Sequence, residues 1–164
     1  MLTCVRYHMF GGGVLGGPDI VGLVEQWRPE KWYRSEKKFE ADLADYLREN
    51  TGRGTTVRTQ SRNNNIDIRV GDAVGIELKR KLTPSKVDRL IGQLDRYDFP
   101  TVIIAVCGSS DNAWEDLRER TRRGSGIGVG QQQEVIPIRK EKNDRATHRD
   151  DDQDLFGLGG DSFF

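Results

Sequence analysis

I-D-I-R-V-G-D-A-V-G-I-E-L-K-R-K, residues 66–81, decides the fold. Two short apolar runs flank a Gly-Asp turn, the pattern of a β-hairpin. In the second run Ile76, Leu78 and Leu82 are apolar, and Glu77 and Lys79 interrupt them. Residues two apart share one face of a strand, so Glu77 and Lys79 point the same way. Asp67 interrupts the first run between Ile66 and Ile68. Two acids and a lysine therefore meet in the middle of an otherwise buried sheet. Buried charges are costly unless they are paired or bind a metal. Two carboxylates side by side favour a hard, oxygen-seeking cation such as magnesium.

The hairpin loop decides whether the acids meet. Opposed residues of an antiparallel pair share a face, and a one-residue slip sends them to opposite faces. Asp67 opposes Glu77 only if Val70 pairs with Val74 across a three-residue loop, Gly71-Asp72-Ala73. A two-residue loop would set Asp67 opposite Ile76. The metal reading thus requires an odd loop or a bulge.

Asp67 followed by Glu77-Leu78-Lys79 resembles the PD-(D/E)XK nuclease superfamily, with Ile66 standing where the family usually has proline. The resemblance implies that Asp67 and Glu77 hold Mg2+ (or Mn2+), with the Leu78 carbonyl as a further ligand. It implies that Lys79 orients the attacking water or stabilises charge on the phosphate. The superfamily commonly carries a glutamate on its first helix. The F-E-x-x-L spacing assigns that role to Glu40, bound through water or to a second ion, with Glu36 as the alternative. Gln93 and Tyr97 form a Q-x-x-x-Y motif that resembles one found in several branches of the superfamily, where the glutamine supports the site.

The elements around the hairpin follow from periodicity. Residues 35–50 place Phe39, Leu43, Tyr46 and Leu47 on one helical face, with Ser35 as N-cap. Thr55–Thr59 reads as a strand. Thr83-Pro84 starts a second helix over 84–98, with Val87, Leu90, Ile91, Leu94 and Tyr97 as its buried stripe. Thr101–Val106 is a continuous apolar run, as in a strand covered on both faces. Asp111–Arg123 reads as a third helix with Trp114 and Leu117 inward. Glu134–Arg139 is a strand that Pro137 assigns to an edge. The class is α/β. The order matches a restriction-endonuclease-like core, αβββαβ with an added αβ, a mixed sheet flanked by helices, over residues 35–140.

Residues 1–34 read as a glycine-rich, aromatic lead-in, with Trp27, Trp32 and Tyr33 packing onto the domain. Gly11–Gly16 formally matches G-x-G-x-x-G, but Pro29 cuts short any following helix and no second strand follows, so no dinucleotide site is expected. The glycines of 124–130 lack the lysine of a phosphate-binding loop. Residues 141–164 are polar and acidic and read as a disordered tail. Their closing aromatics, Phe163 and Phe164, resemble the docking tails of single-strand-binding proteins, which implies a protein partner.

Composition narrows the classes. The chain has 164 residues and zero formal net charge, unevenly spread. The tail holds seven acids against three bases, which leaves 23 bases and 19 acids in residues 1–140, a net +4. A mildly basic body suits a nucleic-acid surface. Arg58, Arg62, Lys86, Arg89 and Tyr97 are candidate contacts. Cys4 and Cys107 offer no zinc spacing, and Cys107 reads as a buried thiol. His8 and His148, the two histidines, lie outside the domain, which disfavours a Ser/His/Asp hydrolase. No apolar run approaches a membrane span, and glycines with Asp19 interrupt any signal-like core, so a cytoplasmic protein is expected. The expected activity is Mg-dependent phosphodiester hydrolysis in DNA, as an endonuclease, and the resemblance adds a homodimer. The alternative is a non-catalytic nucleic-acid-binding or assembly protein on the same fold, docking partners through its tail.

Overall fold

A computed structural model describes residues 19–59, 66–124 and 133–142. The chain in this order forms α1 (Ile20–Gln26), α2 (Glu36–Asn50), β1 (Val57–Thr59), β2 (Ile68–Val70), β3 (Val74–Leu82), α3 (Pro84–Leu94), β4 (Thr101–Ser109), α4 (Asp111–Gly124) and β5 (Glu134–Lys140). The strands make one open five-stranded sheet in the order β1-β2-β3-β4-β5. β1, β2 and β3 run antiparallel, and β3, β4 and β5 run parallel, so the sheet is mixed. The class is α/β, and the order expected over residues 35–140 is the order observed. Among the described residues no helix is long and apolar enough to cross a membrane.

Two cores lie on the two faces of the sheet. Ile68, Ile76, Leu78, Ile103, Ala105 and Cys107 pack under α1 and α2. Val102, Ile104 and Val106 pack under α3 and α4. β4 thus contributes to both, which is why its sequence is apolar without alternation. β5 lies at an edge, where Pro137 removes no ladder bond the sheet needs. Cys107 is a free buried thiol, its pKa pushed up to about 12 first by burial.

The hairpin has the three-residue loop. Val70 pairs with Val74 and Ile68 with Ile76. The ladder ends at Ile68 and Ile76, one residue short of Asp67 and Glu77.

Four local features differ from the sequence reading. The chain joins the core before residue 35: Ile20, Val24 and Trp27 are buried against α2 and the sheet. Trp27, Trp32 and Tyr33 all stack edge-on to Phe39, so the aromatic patch packs as expected. Ser35 occupies the N-cap position of α2, but its side chain makes no capping bond; its carbonyl accepts from Phe39 N at 3.4 Å instead. α3 ends at Leu94 rather than 98, because the Gln93 carbonyl accepts from Arg96 N at 3.0 Å and closes a tight turn. Pro100 also disfavours helix at Phe99.

The fourth feature is a kink at the end of β3. Lys81 has φ 52°, and Gly108 beside it on β4 has φ 80°. Arg80 pairs with Cys107 and Leu82 with Ser109, with no pair between them. Leu78 packs toward α2, whereas Leu82 packs toward α3. The left-handed residue turns the strand over and gives Leu82 its place in the second core. A lysine held there is backbone strain, which tends to gather at functional sites.

The readings made for Met1–Phe10, the glycines of 11–16, Arg62, the glycine-rich segment 125–130 and the tail from 143 onward lie outside the described residues.

Candidate active site at the sheet fork

β2 pairs with β3 only as far as Ile68 and Ile76, and then the two strands part. Alternate backbone N–H groups of a strand point to the same edge. Past Ile76, the Leu78 and Arg80 N–H groups therefore face the gap with no strand to accept them. Unpaired backbone donors at such a position are costly. Two carboxylates take them. Asp67 Oδ2 accepts from Leu78 N at 2.7 Å, and Glu36 Oε1 accepts from Arg80 N at 2.9 Å. The opening of the sheet is held by acidic side chains instead of backbone.

The acids of the fork come from three elements. Asp67 enters from the segment before β2, Glu77 from β3, and Glu36 and Glu40 from successive turns of α2. Glu36, Glu40, Leu43 and Leu47 follow one another at four-, three- and four-residue spacing, so the packing of Phe39, Leu43 and Leu47 turns both acids toward the sheet. Glu77 is 3 % exposed, and Lys79 Nζ donates to its Oε1. Tyr97 Oη donates to Glu77 Oε2 at 2.9 Å.

Electrostatics follow from crowding. Burial raises the pKa of Asp67, Glu77 and Glu40 above the carboxylate range. Asp67 raises Glu77 and Glu40 further. Burial works against the charge on Lys79, but Glu77, Asp67 and Glu36 outweigh it and raise its pKa. Lys79 is a firm cation. Burial and Glu77 also raise the Tyr97 phenol, which stays a donor. One lysine thus faces several acids.

Among the described residues no group of three or more His, Cys, Asp or Glu side chains can hold an ion. Asp67 and Glu77 supply oxygen donors only, and Asp67 adds negative field at Glu77 as Glu36 does at Asp67. Magnesium typically takes one or two carboxylates and completes its shell with water and substrate phosphate oxygens. Two carboxylates in an under-neutralised fork fit that habit. They do not fit zinc or an all-protein cage.

No family model, curated protein or solved structure matches the chain.

The residues themselves carry the functional reading. Asp67, Glu77 and Lys79 meet at the fork and Glu40 lies within the field of Asp67, but among the described residues the three acids do not form one metal-holding group. Gln93 is half-buried on α3, and its side chain makes no hydrogen bond among the described residues. Tyr97, expected among the nucleic-acid contacts, is 7 % exposed, with its ring in the second core and its hydroxyl on Glu77. It supports the site from below. Lys86 is exposed, and its Nζ donates to the Arg80 carbonyl at 3.1 Å, next to the kink. Arg58 and Arg89 are exposed, and Arg62 lies outside the described residues. Three functional features escaped the sequence: the Tyr97–Glu77 bond, Glu36 on the Arg80 N–H, and the left-handed Lys81. The Q-x-x-x-Y spacing marked Tyr97 but not its partner. Lysine gives no local sign of φ above zero.

Proposed function

We propose that the chain is a metal-dependent nuclease that hydrolyses phosphodiester bonds in DNA, on a restriction-endonuclease-like core. The observation that supports this most is the fork itself: Asp67 bound to Leu78 N where β2 and β3 part, with Glu77 and Lys79 beside it. Asp67 and Glu77 are the residues to hold Mg2+, with Glu40 behind them. When bound, such an ion supplies Lewis acidity at a phosphate oxygen and activates water.

The chain's own groups do the rest. Leu78 N–H fixes Asp67 Oδ2 and leaves Oδ1 without a hydrogen bond among the described residues. Tyr97 and Lys79 hold Glu77 in one orientation. Lys79, kept cationic by its acidic neighbours, is suited to meet charge developing on the phosphate rather than to act as a base. Its position on the rigid centre of a sheet preorganises that charge.

The test is cleavage of plasmid, linear duplex, single-stranded and branched DNA with magnesium, manganese or chelator. Asp67→Ala and Lys79→Ala proteins run alongside. Metal-dependent cutting lost in both supports the reading. Cutting that survives both locates the activity elsewhere. The non-catalytic alternative has one observation in its favour, that Lys79 and Tyr97 already occupy Glu77. Folded protein that binds DNA equally with chelator and cuts nothing would favour it.

A further inference from the structure

We propose that the cleft between Arg58 and Arg69 is a phosphate subsite for a non-scissile phosphodiester of the bound strand, and that Asp72 is its built-in competitor. The proposal rests on the nucleic-acid reading above and adds a position along the substrate.

Arg58 lies directly opposite Arg69 in the β1–β2 ladder. Like charges opposed across a sheet are unfavourable, so the pair is costly unless an anion lies between them. With Thr56, Gly71 and Asp72 the two arginines line a cleft of about 230 Å³. It carries two cationic groups and one acid.

Arg69 is held ready. Its Nε donates to the Gly71 carbonyl at 2.8 Å. Its guanidinium carbon lies 5.7 Å over the centre of the Phe99 ring. Gly75, opposite Arg69 on β3, leaves the space for that ring; a Cβ there would meet Phe99 at 2.8 Å. A glycine admits an aromatic platform, and the platform supports a guanidinium. Arg58 is exposed and makes no hydrogen bond or ion pair among the described residues.

The anion now on Arg69 is weakly held. Asp72 pairs with it, but the Asp72 side chain is 94 % exposed. Exposed pairs contribute little, whereas a phosphate can take charge-assisted bonds from two guanidinium groups.

The placement suits a neighbouring phosphate. Arg69 follows Asp67 by two residues, roughly 6.6 Å along an extended strand. That is about twice the roughly 3.4 Å per-strand charge spacing along a duplex axis. The cleft lacks the paired acids of the fork, so it binds without cleaving.

The test is fluorescence anisotropy of the full chain with a 5′-fluorescein single strand of about 20 nucleotides, and with its duplex, across a salt series. Chelator is present throughout, so that binding is read without cleavage. Arg58→Gln is expected to weaken binding about fivefold and to lower the salt slope by about one. Asp72→Asn is expected to tighten binding about twofold to fivefold. A mere turn-stabilising role for Asp72 gives no gain, and thermal melts confirm that both variants fold. Wild-type affinity and salt slope in either variant overturn the subsite while the nucleic-acid reading stands. No binding of either DNA by wild type overturns both.

Discussion

Asp42 and Asp67 are both half-buried aspartates, yet the chain surrounds them in opposite ways. Asp42 accepts from Trp27 Nε1 at 2.8 Å, Glu30 N at 2.9 Å and Tyr33 Oη at 2.8 Å. Its donors come from the segment that leads into α2, and it fastens that segment to the helix. Asp67 accepts from Leu78 N and otherwise faces acids, with Lys79 as counterweight. One carboxylate has more donors than a structural role requires. The other has fewer donors than its charge requires. Counting donors against acids separates an anchor from a site, where burial alone does not.

The sharpest way to break this contrast is to compare losses of activity. Lys79→Ala is expected to lower DNA cleavage by about a thousandfold, the scale for removing one preorganised transition-state donor; because it also leaves the buried Glu77 carboxylate without its cation, the rates are compared at equal folded concentration. Asp42→Ala should lower activity only as far as it unfolds the protein. It strands buried donors, including that of Trp27, at roughly 1–3 kcal/mol each. Urea denaturation is expected to show a loss of about 3 kcal/mol, with the slope unchanged. If Asp42→Ala abolishes cleavage in folded protein, the anchor is part of the site and the contrast fails.

Tyr97→Phe keeps the ring in the core and removes only the bond to Glu77. Residues that orient metal ligands typically contribute tenfold to a hundredfold, so cleavage is expected to fall by about tenfold. The magnesium concentration for half-maximal rate should rise at the same time. An unchanged metal dependence would assign Tyr97 to packing alone.

The smallest expected effect concerns stability and pH. Asp67, Glu77 and Glu40 have folded pKa values above the ordinary carboxylate range. Their protonated forms are favoured in the folded state. The contribution of these three groups to the metal-free protein is therefore most favourable below that range and is lost as pH rises through the raised values. Asp67→Asn keeps an oxygen for Leu78 N–H and removes the charge. It is expected to raise the melting temperature at neutral pH by about 2–4 °C, on the order of 1 kcal/mol, and to flatten the pH dependence. Asp42→Asn should bring no such gain.

The same contrast explains what the sequence made legible. The hairpin was readable from its two apolar runs and Gly-Asp turn, but these left two registers open; Val70 opposite Val74 is the one the metal reading required. Glu40 and Glu36 were readable because they lie one turn apart on one helical side, in line with Leu43 and Leu47. The Asp42 anchor was not, because its donors lie 9 to 15 residues away on an irregular segment with no period. The Tyr97–Glu77 bond joins residues 20 apart through the early end of α3. The kink at Lys81 is imposed by the neighbouring strand, not by lysine's own preference. Periodicity reports which face a residue takes. It does not report the partner found there.

The nicking rate of supercoiled plasmid as magnesium is raised, for wild-type and Asp67→Asn protein at equal folded concentration, bears most directly on the fork as a metal-dependent hydrolytic centre. Saturating magnesium dependence in wild type, no nicking in chelator, and no nicking by Asp67→Asn at any magnesium concentration is the expected result. The same magnesium curve for both proteins, or nicking by wild type in chelator, would contradict it.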